Sequence, residues 1–433
     1  MTNAIAIIQS ITNSNTAIIG FAQADSSWQK KIKQSVIGQI EQINLVIPET
    51  VEELAAIVQA ASKEKWGIMP CGNGSKLDWG GLAKEIELVV STQKCDRIIQ
   101  HAVNDLTVTV EAGIKLADLQ NKLKAHKQFL PIDPAFAEEA TIGGILATAD
   151  TGSLRHRYGG IRDLVLGVSF IRGDGKIAKA GGKVVKNVAG YDLMKLLIGS
   201  YGTLGIISQV TLRTYPIPQA SQTVAITGKS EKIDKAIKLL KNSGLTPTAA
   251  DLISSSVAKK LDIANKTTLL VSFQTIPESI KDQIVQISTM MDGLEVDITT
   301  YKAESEQQLW YQLATLVRTP HSEATICKLG VLPTVAVELL YKIEKIDPKN
   351  YVTVHIGSGI GILQFSTAKA EDISSIREFC NSNAGFLTVL TAPQQLKQKI
   401  DVWGYGGNAL GMMATIKQKF DPQQIFNRDR FLV

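Results

Sequence analysis

Strands and helices alternate from residue 43 to about residue 215, and three glycine-rich segments interrupt this alternation. The first segment, PCGNGSKLDW (70–79), follows a short apolar run, and the others cover residues 131–163 and 181–207. A backbone with so little side chain can approach a flat ligand closely. Three such segments in succession predict one long ligand lying across a domain. The alternative is that they are ordinary loops of a glycine-rich α/β protein.

The first glycine-rich loop matches neither of the common nucleotide-binding fingerprints. The dinucleotide fingerprint opens a helix, whereas Trp79, Gly80 and Gly81 break any helical period here. The G-K-[ST] ending of a Walker A loop is also missing. We therefore expect an irregular nest of backbone N–H donors, which can bind an anion.

Length, hydropathy and charge set broad limits. A chain of 433 residues predicts two or three domains. No apolar run approaches the roughly 20 residues of a membrane span, and the N-terminus lacks the features of a signal peptide. We therefore expect a cytoplasmic protein, with peripheral membrane contact left open. The net charge is +5 and the basic residues are scattered, which argues against nucleic acid as a partner.

The four cysteines do not form a cluster motif. They lie far apart in the sequence, at Cys71, Cys95, Cys327 and Cys380, with no C-x-x-C pair. This spacing argues against an iron–sulfur cluster, a zinc site or a disulfide scaffold within the chain. We predict no metal site, so any redox chemistry needs another centre.

The three glycine-rich segments, in this order, resemble the FAD-binding domain of the vanillyl-alcohol oxidase/p-cresol methylhydroxylase-type flavoproteins. The string GGKVVKNVAGYDLMKLLIGSYGTLGII (181–207) and the ending FDPQQIFNRDRF (420–431) are more closely similar to the FAD-binding (E) subunit of bacterial glycolate oxidase/dehydrogenase. The likeness is strong over 40–215 and at the C-terminus, and loose between 220 and 400. It implies an α+β fold with a p-cresol methylhydroxylase-type FAD-binding domain, an α+β cap domain and a C-terminal return helix.

Domain boundaries follow from this resemblance and from the strand–helix rhythm of the second half, which predicts an α+β sheet domain covered on one face. Pro216 and Pro218 mark the exit from the first domain. The predicted parts are an N-terminal arm (1–36), the FAD-binding domain (37–217), an α+β cap or substrate domain (218–402) and a C-terminal segment that docks on the FAD domain (403–433).

The resemblance also implies which residues bind FAD. Backbone N–H groups of the first loop would wrap the pyrophosphate, later segments would meet the flavin ring and its wall, and a third region would meet the adenosine end. The implied residues are Cys71, Gly72, Asn73, Gly74, Ser75, Lys76, Thr141, Gly143 and Gly144 for the pyrophosphate; Asp150, Thr151, Gly152, Tyr158 and Gly159 for the ring; and Gly205 and Ile207 for the adenosine. Relatives with a covalent flavin carry a histidine at the place of Ser75, which implies non-covalent FAD here.

The substrate side departs from the catalytic relatives. They oxidise an α-hydroxy acid while a base takes the hydroxyl proton, and their H-x-G-D-G-N-x-H-type motif holds a metal. In HIGSGIGIL (355–363) only His355 and two glycines of that motif remain. His355 is a candidate general base, with a hydrogen-bonded core histidine as the alternative. Arg318 and Lys328 are candidate clamps for a substrate carboxylate, with ordinary surface charges as the alternative.

Two further features of the sequence bear on the site. Relatives often have G-S-E-G-T-L-G where this chain has G-S-Y-G-T-L-G, so Tyr201 replaces an acid. Arg155, His156 and Arg157 lie within the second glycine-rich segment, in the implied flavin wall, where a cation could meet the flavin or the substrate.

The resulting prediction is an FAD-binding subunit of a glycolate dehydrogenase-like complex that oxidises glycolate or D-lactate. The resemblance implies two partners, a larger flavin-containing catalytic subunit and an iron–sulfur subunit that receives electrons. One alternative is a self-sufficient flavin-dependent 2-hydroxy-acid oxidase or dehydrogenase. The other is a flavin-free structural subunit, against which the intact glycines argue, because a fold without a ligand would tolerate side chains there.

Overall fold

The computed structural model describes residues 2–182, 191–321 and 323–431, and the chain forms two compact units. Residues 183–190 of the third glycine-rich segment lie outside the described residues. Unit 1 comprises Met1–Thr151, Gly160–Pro216 and Tyr405–Val433, and unit 2 comprises Gly152–Gly159 and Ile217–Gly404.

Unit 1 begins with a four-stranded sheet and the helices around it. Its elements are α1 (Thr2–Ile11), β1 (Ala17–Gly20), α2 (Ser26–Ser35), β2 (Val36–Ile37), β3 (Asn44–Ile47), α3 (Val51–Glu64), β4 (Ile68–Cys71), β5 (Ala83–Lys84) and β6 (Leu88–Ser91). The strand order is β1–β3–β6–β4, in which β3, β6 and β4 run parallel and β1 pairs antiparallel with β3. β2 and β5 form a separate parallel pair.

A five-stranded antiparallel sheet completes the first half of the chain. Its order is β11–β10–β12–β8–β7, and a further short pair joins β13 to β9. The elements are β7 (Ile98–Ala102), β8 (Thr107–Glu111), α4 (Leu116–Lys124), β9 (Gln128–Phe129), α5 (Ile142–Thr148), α6 (Arg155–Tyr158, in unit 2), α7 (Ile161–Leu164), β10 (Val165–Ile171), β11 (Ile177–Gly181), β12 (Ile206–Arg213) and β13 (Tyr215–Pro216).

Unit 2 is built on one eight-stranded antiparallel sheet of order β17–β14–β16–β15–β19–β20–β18–β21. Its elements are β14 (Ala220–Gly228), α8 (Ser230–Lys241), β15 (Ala249–Ile253), α9 (Ser255–Lys260), β16 (Thr267–Thr275), α10 (Pro277–Met290), β17 (Asp297–Lys302), α11 (Ala303–Arg318), β18 (Thr325–Gly330), α12 (Ala336–Ile346), β19 (Tyr351–His355), β20 (Ile360–Phe365), α13 (Ala370–Ser382), β21 (Phe386–Thr391) and α14 (Gln394–Lys397). The chain then returns to unit 1 in α15 (Leu410–Phe420).

Helix α3 shows how sequence signals set an element. The Thr50 hydroxyl accepts a hydrogen bond from the Glu53 N–H at 3.2 Å, and the Glu53 carboxylate accepts from the Thr50 N–H at 3.3 Å. This is the capping box that the sequence T-V-E-E predicts. The same carboxylate accepts from the Asn13 N–H at 2.8 Å, so it also anchors the N-terminal arm. The buried stripe of the helix is Leu54, Ile57, Val58 and Ala61.

The C-terminal segment is bonded to strand β4. The Ile68 N–H donates to the Ile425 carbonyl at 2.6 Å, and the Asn427 N–H donates to the Ile68 carbonyl at 2.8 Å. In α15, Phe420 stacks on Phe170 with ring centres 5.8 Å apart. These contacts hold the last described residues next to the loop that follows β4.

The two faces of the unit 2 sheet differ in character. Its apolar face, with Leu252, Val354 and Leu363, forms the core with helices α8, α10, α12 and α13. On the opposite face α11 is held by polar contacts: Trp310 Nε1 donates to Thr223 Oγ1 at 2.9 Å. We call this second side the polar face.

The α+β fold is confirmed, and the strands and helices that sequence pattern predicts in the second half all exist within a few residues of their expected ends. In the second half, sequence reasoning missed β15, α9, β21 and α14. β15 reads Ala-Ala-Asp-Leu-Ile, and an aspartate in a short strand opposes the usual strand preference. Among the described residues, no helix combines the length and the apolar character that a membrane crossing needs.

Candidate functional site

Parts of all three glycine-rich segments meet at one cavity in unit 1. The first loop follows β4, the second segment enters α5, and the third leads into β12, so the ends of these elements surround the cavity. The lining residues are Pro70, Cys71, Gly72, Asn73, Gly74, Ser75, Lys76, Leu77, Thr92, Ala140, Thr141, Gly143, Gly144, Ala147, Thr148, Tyr201, Gly202, Gly205, Ile206, Ile207 and Arg430.

The first loop offers a row of backbone donors. Within the described ranges, the N–H groups of Asn73, Gly74 and Ser75 donate to no protein acceptor. Gly74 has φ +69°, a left-handed conformation that glycine adopts without strain. Lys31 Nζ on α2 donates to the Asn73 carbonyl at 3.1 Å, so the N-terminal arm supports the loop. Such a row of N–H groups is an anion-binding nest.

Two buried cations belong to the same wall. Lys76 Nζ lies 2.9 Å from Asp150 Oδ2, and both side chains are 5% exposed. The Arg430 guanidinium donates to the Leu77 carbonyl and, at 2.8 Å, to the Trp79 carbonyl. Burial lowers the pKa of Arg430 to about 10, so it remains cationic at neutral pH.

The donor set fits a dinucleotide pyrophosphate. Three adjacent N–H groups and a buried guanidinium line one cavity, and both kinds of group bind phosphate oxygens well. The start of α5 contributes shape rather than donors, because the Gly143 N–H donates to the Ala112 carbonyl at 2.8 Å and the Gly144 N–H to Thr141 Oγ1 at 3.3 Å.

Tyr201 stands where the relatives carry an acid, and it lines the cavity. It adopts a left-handed backbone conformation with φ +51°. Its ring stacks on Phe431 with centres 5.9 Å apart, and its carbonyl accepts from Asn427 Nδ2 at 2.7 Å. Burial raises the pKa of the Tyr201 hydroxyl, so this side chain is neutral.

The predicted FAD-binding residues divide into two groups. Those of the first loop, of the start of α5 and of the β12 entry line the cavity, whereas the residues predicted for the flavin ring are absent from its lining. Asp150 lies behind the wall, where it pairs with Lys76 and accepts from the Ala135 N–H at 2.8 Å. The residues predicted for the ring remain predictions: Asp150, Thr151, Gly152, Tyr158 and Gly159.

Sequence reasoning assigned no site role to Arg430. The ending FDPQQIFNRDRF supported the resemblance, but its position in the cavity follows from the pairing of Ile425 and Asn427 with β4. A lone arginine near a chain end carries no signal of that pairing.

The candidate catalytic residues of unit 2 lie on or beside the polar face. Asp251 on β15 pairs with His355 on β19, and Thr353 pairs with Ile362, which pairs with Lys328 on β18. Paired residues and next-but-one residues share a face of a sheet. Asp251, His355 and Lys328 therefore share the polar face.

The remaining candidate, Arg318, is the last residue of α11 and is 6% exposed. Its charge acts on the Asp251 carboxylate, so the structure brings it to the same group. Sequence reasoning missed Asp251 because it lies on a strand that was not predicted.

Comparison with known proteins identifies the first half of the chain. Residues 43–181 match the family described as FAD binding domain. This part of the chain is an FAD-binding domain. From this match and from the relatives below, the chain is an FAD-dependent oxidoreductase.

Three relatives span different parts of the chain. It is 28% identical over 417 residues to the mitochondrial D-lactate dehydrogenase (cytochrome) of Arabidopsis thaliana, covering 90% of this chain and 73% of the relative. It is 31% identical over 229 residues to glycolate oxidase subunit GlcD of Bacillus subtilis, covering 52% and 46%. It is 41% identical over 130 residues to glycolate oxidase subunit GlcE of Escherichia coli, covering 30% and 37%. The matched regions thus span less than half the length of the two glycolate oxidase subunits.

Solved structures agree on the fold. Glucooligosaccharide oxidase of Acremonium strictum matches with a TM-score of 0.70 at 14% identity, over 98% of this chain and 97% of that chain. An alkyldihydroxyacetonephosphate synthase matches with a TM-score of 0.72 at 15% identity, over 99% and 85%. The fold is therefore that of the p-cresol methylhydroxylase and vanillyl-alcohol oxidase-type flavoproteins.

Proposed function

We propose that the chain is the FAD-binding subunit of a glycolate dehydrogenase-like complex that oxidises a small 2-hydroxy acid, glycolate or D-lactate. The observation that carries the proposal is the cavity of unit 1, where N–H donors and Arg430 converge within an FAD-binding domain. The names of the relatives support the substrate class, since they include glycolate oxidase subunits and D-lactate dehydrogenases.

Different residues of the chain would bind different parts of the cofactor. The N–H groups of Asn73, Gly74 and Ser75 and the Arg430 guanidinium would bind the pyrophosphate, and Gly205 and Ile207 would meet the adenosine. The proposed flavin-ring residues are Asp150, Thr151, Gly152, Tyr158 and Gly159. When bound, FAD supplies the acceptor for the hydride that leaves the α-carbon of the substrate.

We propose that the FAD is held without a covalent bond. A cysteinyl link needs a thiolate, and burial raises the pKa of the Cys71 thiol to about 12, although Lys31 and Arg430 oppose this. Ser75, where covalent relatives carry a histidine, offers no imidazole. Acid precipitation should release all the flavin into the supernatant, and flavin left on the precipitate would refute this part of the proposal.

The proposed partners are a larger flavin-containing catalytic subunit and an iron–sulfur subunit that receives the electrons. Similarity to two differently named glycolate oxidase subunits supports a complex of several chains. The proposed functional parts of this chain are the arm (1–36), the FAD-binding domain (37–217), the cap (218–402) and the returning C-terminal segment (403–433).

The test is the visible spectrum of the purified chain under anaerobic conditions. We expect oxidised flavin bands that persist when glycolate is added to the chain alone and bleach when the larger subunit is present as well. A folded, colourless chain that does not take up added FAD would refute the proposal in favour of a flavin-free structural subunit. If the flavin bands do not bleach when both subunits are mixed with glycolate or with D-lactate, the proposed substrate class is refuted.

A second candidate function is a self-sufficient 2-hydroxy-acid dehydrogenase. The presence of His355 and Lys328 on one face, beside Arg318, favours it, because these residues provide a base and two cations for a carboxylate. Bleaching of the flavin within seconds by glycolate in the isolated chain would establish this candidate. His355→Ala should then abolish bleaching and leave the flavin bound.

A further inference from the structure

Three side chains of unit 2 form a buried hydrogen-bonded chain. Asp251 Oδ1 lies 2.6 Å from His355 Nδ1, and the two side chains are 1% and 3% exposed. The Ser153 hydroxyl donates to the other oxygen, Oδ2, of the same carboxylate. Held from both sides, the carboxylate has a fixed orientation, and it fixes the imidazole ring in turn.

The partners of Asp251 determine where the proton of this contact lies. Burial alone would raise the pKa of the Asp251 carboxyl, but His355, the Ser153 hydroxyl and the Arg318 charge lower it below its ordinary value. An ionised carboxylate has only acceptor sites. The shared proton therefore belongs to His355 Nδ1, and the neutral imidazole carries its lone pair on Nε2, the nitrogen of a general base.

His156 is a second imidazole in the cluster. Its ring lies against the backbone of Gly357, where a Cβ atom would overlap Nδ1 and lie 2.7 Å from Cε1. Burial lowers the pKa of His156, the Asp251 charge raises it, and His355 lowers it. The two imidazoles therefore interact electrostatically, and the lowered pKa of His156 favours its neutral form.

The segment that carries Ser153 and His156 comes from the FAD-binding half of the sequence. Residues 152–159 leave unit 1 after Thr151 and rejoin it at Gly160. Ser153 follows Asp150, the partner of the cavity residue Lys76, by three positions. Residues 152–159 therefore contribute Ser153 and His156 to the cluster of unit 2.

We infer that Asp251, supported by Ser153, is the positioning residue of the substrate site, holding His355 with Nδ1–H toward β15 so that Nε2 accepts the hydroxyl proton of a 2-hydroxy acid. This inference rests on the proposed function. His355 Nε2 would take the substrate O–H proton as the C–O bond becomes a carbonyl, and bound FAD would supply the acceptor for the α-hydrogen and its electron pair. The imidazolium that forms is stabilised by the Asp251 carboxylate.

The test compares Asp251→Asn with a matched control, Asp347→Asn. Asp347 is also a buried aspartate of unit 2, 8% exposed, and its carboxylate accepts from the Lys349 N–H at 2.9 Å and the Ser366 N–H at 2.8 Å. Both changes remove one buried charge and keep the side-chain shape. Only Asp251→Asn should change His355.

The first readout is the tautomer of His355, measured by ¹⁵N NMR on the full chain with labelled histidine. We expect a protonated Nδ1 in the native chain and in Asp347→Asn, and a loss of that preference in Asp251→Asn. A native His355 protonated on Nε2, or an unchanged tautomer in Asp251→Asn, would overturn the inference.

The second readout is the anaerobic rate of flavin bleaching by glycolate, with the larger subunit present. We expect Asp251→Asn to slow it roughly 100-fold or more, the contribution typical of a general base, and Asp347→Asn to leave it near the native rate.

The outcomes separate the two proposals. Equal slowing by both variants would show that Asp251 is merely structural and would overturn the inference. A native complex that does not bleach with glycolate or D-lactate would refute the proposed function, and with it the substrate step, while the tautomer comparison would still decide whether Asp251 positions His355.

Discussion

Replacing Gly72 by alanine should destabilise unit 1 by about 3 kcal/mol. An added Cβ atom would overlap Thr141 Oγ1 and lie 2.7 and 2.8 Å from Thr141 Cγ2 and Cβ. Thr141 would have to move, and its hydroxyl caps α5 by accepting from the Gly144 N–H. Loss of a cap costs about 1 kcal/mol, and overpacking costs about 1–3 kcal/mol. Their sum lowers the ratio of folded to unfolded chain about 100-fold.

Urea unfolding of the apo chain measures this cost, with Gly411→Ala as the control. Gly411 is an exposed residue of α15 with nothing within 4 Å of its added Cβ atom. Its alanine variant should be neutral or more stable by up to about 1 kcal/mol. Thr141→Ala removes two of the three crowding atoms, so the double variant should cost at least about 1 kcal/mol less than the sum of the single changes. Native-like stability of Gly72→Ala together with a large loss of FAD affinity would refute this reasoning, because the glycine would then serve the ligand and not Thr141.

Two further predictions concern the C-terminal segment and the N-terminal arm. Arg430→Met should weaken FAD binding roughly 10- to 100-fold, because a charged hydrogen bond contributes about 1.5–3 kcal/mol. Equilibrium flavin fluorescence measures the dissociation constant of FAD. The control Arg428→Met removes a charge outside the cavity lining and should have little effect on it. Glu53→Gln should lower the free energy of unfolding at pH 7 by about 1–2 kcal/mol. Burial opposes ionisation of Glu53, but hydrogen bonds from the Asn13 and Glu49 N–H groups lower its pKa below the ordinary 4.5. The stabilisation by the Glu53 carboxylate is therefore complete above pH 4.5 and disappears as the pH falls through the lowered pKa. The urea midpoints of the native chain and the variant should therefore converge in acid. A difference between the two midpoints that persists unchanged in acid would contradict this.

The sequence predicted best those features that depend on neighbouring residues. The capping box at Thr50 and Glu53 is local, so its signal is complete within four letters. The strand β15 is different, because its aspartate is compatible with a strand only when His355 and Ser153, both distant in the sequence, surround the carboxylate. Arg430 poses the same difficulty: its place in the cavity depends on strand pairing with a residue more than 350 positions earlier, and no local pattern contains that information.

The structure also changes the reason for the glycines. From the sequence, their small size points to close approach of a ligand, and their presence argues against a flavin-free subunit. Yet a Cβ atom at Gly72 would meet Thr141, at Gly143 it would lie 2.8 Å from Ala112 Cβ, and at Gly205, where φ is +154°, it would lie 2.6 Å from the Ile171 carbonyl oxygen. The fold needs these glycines with or without FAD.

The stronger physical argument for a bound anion comes from the polar groups of the cavity. Burial lowers the pKa of Arg430 to about 10, although the Asp78 charge raises it, and its guanidinium lines the cavity. Beside it, the N–H groups of Asn73, Gly74 and Ser75 donate to no acceptor in the described part of the chain. An anionic pyrophosphate would accept from these N–H groups. A flavin-free subunit would leave them without a protein acceptor, so the free energy of unfolding of the chain should rise with FAD concentration.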